Sequence, residues 1–137
     1  MRVVFMGTPD FAVPCLEALL QIGEEVVAVY TQPDKPKGRK QILTPSPVKE
    51  FAVMHNLKVL QPASFRNNEE AVQTLQNLHP DLVVVVAFGQ LLPPEILQIP
   101  PYGCINVHAS LLPRYRGAAP IQYSILNGCL LYTSRCV

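Results

Sequence analysis

Asn106, His108 and Ser110 stand at alternate positions in INVHASLLPRYRG, residues 105–117, a stretch that also carries a proline and two arginines. If GCINVHA forms a strand, positions two apart project from one face and lie roughly 7 Å apart along the chain. A carboxamide N–H and an imidazole aimed at one point suit acyl transfer, in which one group holds a developing oxyanion and the other handles protons. No serine or cysteine is placed beside them as an activated nucleophile, so the pattern favours direct attack by a substrate amine over a covalent enzyme intermediate. The same two side chains could equally well hydrogen-bond a strand terminus to its loop.

The elements that must position this stretch alternate along the chain. VVFMG reads as a short buried strand, and TPDFAVPCLEALLQIG as a helix closed by Gly23. EVVAVYT is a second strand. A long Pro- and Lys-rich loop from Gln32 to Pro45 follows, after which Ser46 and Pro47 supply an N-cap and a first-turn proline for a helix to about Asn56. KVLQP is a brief strand, and NNEEAVQTLQNL an amphipathic helix with acids in its first turn. LVVVVAFG has no polar alternation, as expected of a strand covered on both faces. GCINVHA is another strand, and GAAPIQYSILNG a final short helix. This order predicts an α/β fold with an open, mostly parallel, Rossmann-like sheet and right-handed crossovers.

Such sheets often bind dinucleotides, but that fingerprint needs G-x-G-x-x-G at an open helix N-terminus. The first turn here is GTPDF. Thr8 is expected to cap the helix, Pro9 removes an amide donor, and Asp10 puts a carboxylate where a phosphate would sit. The ligand is therefore expected at the carboxyl ends of the later strands.

The chain has 137 residues, 49% hydrophobic and 15% charged, with a net charge of +1, which fits one soluble domain without a whole-protein field for nucleic acid or membranes. Basic charge is local: Lys35, Lys37, Arg39 and Lys40 cluster on the long loop. The longest apolar run is far short of the roughly 20 residues that span a bilayer, and the N-terminus lacks a secretory signal, so a cytoplasmic location without membrane partners is expected. The cysteines at 15, 104, 129 and 136 have no C-x-x-C spacing and read as reduced thiols, not as metal ligands. His55 and His79 fall near helix ends, where a dipole interaction is the ordinary explanation.

HASLLPRYRGAAPIQYSILNG, with GTPDF, TQPDKPKGR, SPVK and AFGQLLP upstream, resembles the folate-dependent formyltransferases, and within them the branch acting on methionyl initiator tRNA. The likeness runs from residue 1 to about Gly128. It implies transfer of a formyl group from 10-formyltetrahydrofolate to the α-amine of methionyl initiator tRNA in translation initiation, with no metal. By resemblance, Asn106 and His108 are two members of a catalytic trio, and Ser110, Leu111, Leu112 and Pro113 line the folate site. Phe88, Gly89, Gln90, Leu91 and Leu92 hold the pteridine largely through backbone groups. Lys35, Lys37, Gly38, Arg39 and Lys40 form a basic loop that engages the tRNA acceptor end, with Lys40 where the family has glycine. Phe11 resembles a residue of the methionyl pocket, although an apolar helix residue serves equally as core.

The third catalytic member, an aspartate downstream of the histidine, has no counterpart: after Glu95 the sequence contains no Asp or Glu. Its carboxylate would keep His108 protonated beside Arg114 and Arg116, which otherwise lower the imidazole pKa. Past Gly128 the family pattern stops, and CLLYTSRCV does not continue it. Residues 1–128 are thus expected to form a truncated N-terminal catalytic domain. Residues 129–137 form an unrelated tail, and the family's C-terminal β-barrel domain is absent. The fragment is expected to be inactive alone and to expose a strand edge, while the complete protein would be a monomer. Formyl transfer to a nucleotide sugar or purine precursor, or a non-catalytic binding module of the same fold, are the alternatives. YRGAAPIQ and the basic loop favour tRNA.

Overall fold

LVVVV at 82–86 forms the centre of the sheet, because an unbroken β-branched run is satisfied only where both faces are covered. The computed structural model describes residues 1–108 and 132–135, with side chains through Val107. The strands are β1 (Arg2–Gly7), β2 (Glu25–Tyr30), β3 (Lys35–Lys37), β4 (Ile42–Thr44), β5 (Val59–Leu60), β6 (Leu82–Val86), β7 (Cys104–His108) and β8 (Tyr132–Arg135). The helices are α1 (Val13–Gln21), α2 (Pro47–Met54), α3 (Glu69–Asn77) and α4 (Pro94–Leu97). The main sheet has the order β5-β2-β1-β6-β7-β8, parallel except for β8, which runs antiparallel to β7. The expected α/β fold with a mostly parallel sheet is therefore present, and its order turns back between β1 and β6, the kind of switch point where open sheets bind ligands.

Consecutive strand residues alternate between two cores. Val4, Met6, Val83, Val85 and Cys104 pack with Phe65, Phe88, Leu75 of α3 and Ile96 of α4. Val3, Phe5, Val84 and Val86 pack on the other face with Leu16 of α1 and Val48 and Ala52 of α2. Leu16, Leu75, Phe5 and Phe65 are fully buried, and each such side chain contributes about 1.5–3 kcal/mol of transfer free energy.

Local signals place the helix starts. The Ser46 hydroxyl accepts from Lys49 N at 3.0 Å, with Pro47 in the first turn of α2, and Asn68 Oδ1 accepts from Ala71 N at 3.0 Å to cap α3.

Two expectations need correction. Thr8 caps nothing: Asp10–Ala12 forms a 3-10 turn ahead of α1, and the Thr8 hydroxyl instead donates to the Phe88 carbonyl at 2.8 Å. The stretch from Gln32 to Pro45 is not all loop, because β3 and β4 pair as an antiparallel hairpin. Pro36 masked it, yet a proline is tolerated in a two-stranded ribbon with a free edge. Beyond the expected elements, residues 132–135 form β8, paired one for one with β7 from Ile105↔Arg135 to His108↔Tyr132. The helix expected over GAAPIQYSILNG lies outside the described residues.

Candidate active site at the strand ends

Parallel pairing brings the carboxyl ends of β5, β2, β1, β6 and β7 to one edge of the sheet. The polar residues that follow each strand are thereby collected: Thr8 after β1, Thr31 and Gln32 after β2, Gln61 after β5, and Ala87–Leu92 after β6.

Asn106 sits opposite Val85 in the β6–β7 ladder, on the face that buries Cys104. It is half-buried and faces a cleft of about 350 Å³ walled by Ala87–Leu92, with Val85 and Leu97 of α4 completing the lining. Asn106 and the strand-end segment, which the resemblance assigns to one site, thus meet. The ladder register advances without a bulge through His108, so the backbone keeps the period-two relation on which the pairing of positions 106 and 108 was argued. The His108 side chain and Ser110, Leu111, Leu112 and Pro113 lie outside the described residues, as do Arg114 and Arg116.

The segment after β6 is built for an unusual path. Ala87 has φ +48° and Gly89 φ +91°, both in the left-handed region. That region costs a non-glycine residue roughly 1–2 kcal/mol, and such local strain clusters at functional sites. The Phe88 ring is buried and lies 6.1 Å from Phe65, so this residue offers its backbone to the site, not its side chain. Leu92 packs on the core, whereas Leu91 is 93% exposed beside the cleft. Gln90 donates from Nε2 to the Pro62 carbonyl at 2.8 Å and to Gln32 Oε1 at 2.9 Å, and its own Oε1 is buried without a partner among the described residues.

The basic residues are separately mounted. Lys35 and Lys37 project from β3, and Arg39 and Lys40 are exposed in the hairpin turn. Gly38 supplies φ +75°, and its carbonyl accepts from Gln41 N and Nε2 at 3.3 and 2.9 Å. Lys40 therefore does not prevent the turn. Lys35 and Lys37 also line a second cleft of about 370 Å³ with Pro9, Asp10, Gln32 and Pro45. Phe11 belongs to the 3-10 turn and is 39% exposed, so the core role weighed for it is not the one it takes. At the hairpin base, Lys49 Nζ contacts both Asp34 oxygens at 3.0 Å and Gln61 Nε2 donates to Asp34 Oδ1 at 2.8 Å. The Gln61 bond, followed by the Lys49 bond, holds the Asp34 carboxyl below its ordinary pKa.

Away from the strand ends, His55 ends α2, stacks on Phe51 at 4.0 Å and bonds its carbonyl. His79 lies beyond α3 near Asp81 and Pro80, on the opposite edge of the sheet. Cys104 is buried, Cys15 is half-buried, and burial pushes the Cys15 thiol pKa up. No group of three His, Cys, Asp or Glu side chains suited to a metal occurs among the described residues, and no helix there is long and apolar enough to cross a membrane.

Sequence reading missed Thr8 as a strand-end clamp and gave no site role to Gln32, Asp34, Lys49 and Gln61. One signal was available: Gln-Pro follows an apolar strand within two residues twice, in VYTQP and VLQP.

Comparison with known proteins gives the family and the fold. The family model described as "Formyl transferase" matches residues 1–130. Methionyl-tRNA formyltransferase of Bacillus subtilis is 63% identical over 127 residues, 93% of this chain and 40% of that protein. The enzyme of the same name from Caldanaerobacter subterraneus is 59% identical over 128 residues, covering 93% of this chain and 41% of that protein. The chain thus spans about two fifths of the length of these curated relatives. Among solved structures, phosphoribosylglycinamide formyltransferase from Bacillus halodurans superposes with a TM-score of 0.69 at 18% identity, covering 100% of this chain and 81% of that one. That likeness shows the fold alone. A strand-end cleft carrying Asn106, a sheet of the order found here and a family match over nearly the whole chain lead to one conclusion: the chain belongs to the formyl transferase family.

Proposed function

We propose that the protein transfers a formyl group from 10-formyltetrahydrofolate to the α-amine of methionyl initiator tRNA, and that this chain carries the folate cleft, the oxyanion donor and a basic tRNA contact. One observation carries the reading: Asn106 faces the same cleft as Ala87–Leu92. A cleft of about 350 Å³ with mostly apolar walls and a few polar groups suits a bicyclic ring. Gln90 and the backbone of Ala87–Leu92 would hold the folate, as the resemblance also implies for Ser110, Leu111, Leu112 and Pro113; bound there, it supplies an activated formyl group.

The chemistry asks little of the protein as a base. An α-amine has a reference pKa of about 7.7–8.0, so a useful fraction is neutral near pH 7. As the amine adds, charge moves onto the formyl oxygen. Asn106 donates its amide N–H there, and such a donor is typically worth about 3–4 kcal/mol. His108, two positions on and protonated, supplies a second donor to that oxygen; it gives its proton to the departing nitrogen of tetrahydrofolate as the bond from that nitrogen to the formyl carbon breaks, and the proton lost by the amine restores it. The basic hairpin approaches the acceptor end of the tRNA through Lys35, Lys37 and Arg39, which match phosphate charge and release counterions. With no acid after Glu95 to keep His108 charged, the 137-residue chain by itself is expected to bind folate without turnover.

The test is a chimera in which residues 1–128 replace the matching segment of a full-length relative. It should formylate methionyl initiator tRNA, and Asn106→Ala in it should lower kcat roughly 10²–10³-fold with folate KM nearly unchanged. A chimera active on a small metabolite amine but not on methionyl-tRNA, or full activity of the Ala variant, would refute the assignment.

A further inference from the structure

Gln32 occupies a junction that formyl transfer itself does not require. Its Nε2 donates to the Gly89 carbonyl at 2.9 Å, and its Oε1 accepts from Gln90 Nε2 at 2.9 Å. Its backbone N–H donates to the Thr8 hydroxyl at 3.4 Å, and its backbone carbonyl accepts from Gln61 Nε2 at 3.2 Å. Thr8 in turn holds the Phe88 carbonyl, and Gln61 holds Asp34 at the base of the basic hairpin. One residue therefore connects the ends of β1, β2, β5 and β6.

The fit at Gly89 is close. A Cβ built there would lie 2.7 Å from Gln32 Nε2, so the carboxamide packs directly against a residue whose φ of +91° needs holding. Gln90 gains its orientation the same way, since both acceptors of its amide, Gln32 and Pro62, lie outside its own segment. Only a side chain with one donor and one acceptor at this reach makes both bonds.

We propose that Gln32 is a positioning residue whose carboxamide fixes Gly89 and Gln90 at the cleft and ties them to the base of the basic hairpin. It rests on the proposed folate site for its functional consequence, but the structural claim stands apart from it. Gln32→Met fills similar space without the hydrogen bonds, and Gln32→Ala removes both. Gln73→Ala, which loses a carboxamide bond to Asn77 on α3, is the control for general destabilisation.

Two readouts on the same variants decide the matter. In the 137-residue chain, amide order parameters of Gly89 and Gln90 should fall from about 0.85 toward 0.6 or below in Met and Ala variants alike, and stay high in the control. In the chimera, KM for 10-formyltetrahydrofolate should rise about tenfold, as for the loss of about one net hydrogen bond, with kcat and tRNA KM within about twofold. Unchanged order parameters overturn the proposal, as does a Met variant with wild-type folate KM. If the order parameters fall and the unmutated chimera binds no folate, the folate reading fails while the positioning of Gly89 and Gln90 by Gln32 is upheld.

Discussion

Replacing Tyr30 by phenylalanine should make this protein more stable. Tyr30 is 1% exposed at the end of β2, with its ring 5.6 Å from Phe65, and its hydroxyl is buried with no hydrogen-bond partner among the described residues. A buried hydroxyl without a partner forfeits roughly 1–3 kcal/mol of solvation. Phenylalanine keeps the ring, so little packing is lost, and a net gain of about 1–2 kcal/mol is expected, or roughly 3–8 °C in Tm for a chain of this size. The pH dependence is a second signature. Burial pushes the Tyr30 pKa up to about 12, against roughly 10 in an unfolded chain. The unfolded phenol therefore releases its proton first. Stability from this group is complete below pH 10 and is lost as pH climbs toward 12, by up to about 3 kcal/mol. Urea unfolding of both proteins at pH 7 and at several values between 10 and 11.5 checks this. The variant should show a higher midpoint at an unchanged m-value and a shallower alkaline decline. A loss of 1 kcal/mol or more at pH 7 would show that the hydroxyl is hydrogen-bonded in solution, and parallel declines above pH 10 would show that it is solvated; either result refutes the reasoning.

Ser46→Ala removes the cap bond to Lys49 N and the 2.6 Å bond to the fully buried Thr31 hydroxyl; a loss of about 1–3 kcal/mol in urea unfolding is expected, above the usual cap value alone. Asp34 has a lowered pKa, so its contribution is present above the unfolded value near 3.9 and disappears as pH falls through the folded value. Asp34→Asn should therefore flatten the fall in urea midpoint between pH 5 and 3 relative to wild type. In the chimera, Lys35→Gln, Lys37→Gln and Arg39→Gln together should lower the slope of log affinity against log salt for tRNA by about 0.7–0.9 for each phosphate no longer neutralised, with folate affinity unchanged.

Much of this fold is written locally. The β-branched run at 82–86 could only be a doubly covered strand, Ser46-Pro47 and Asn68 start helices with their own side chains, and Asn106 was singled out by its spacing from His108 within one strand. The short hairpin was hidden because Pro36 argues against a strand until its partner is seen. Thr8 misled for a related reason. A threonine before a helix can cap it or reach elsewhere, and the choice fell to the Phe88 carbonyl, 80 residues away in sequence.

The amino-acid order thus placed the longer strands and helices and marked Asn106 and His108 as candidates for acyl transfer, since propensity, capping and periodicity act within a few residues. Tertiary structure alone decided that Gln32 meets Gly89 and Gln90 and that Asn106 faces the segment after β6. Those meetings follow from a strand order of β5-β2-β1-β6-β7, which is set by burying both faces of the sheet at once and has no counterpart in local preference.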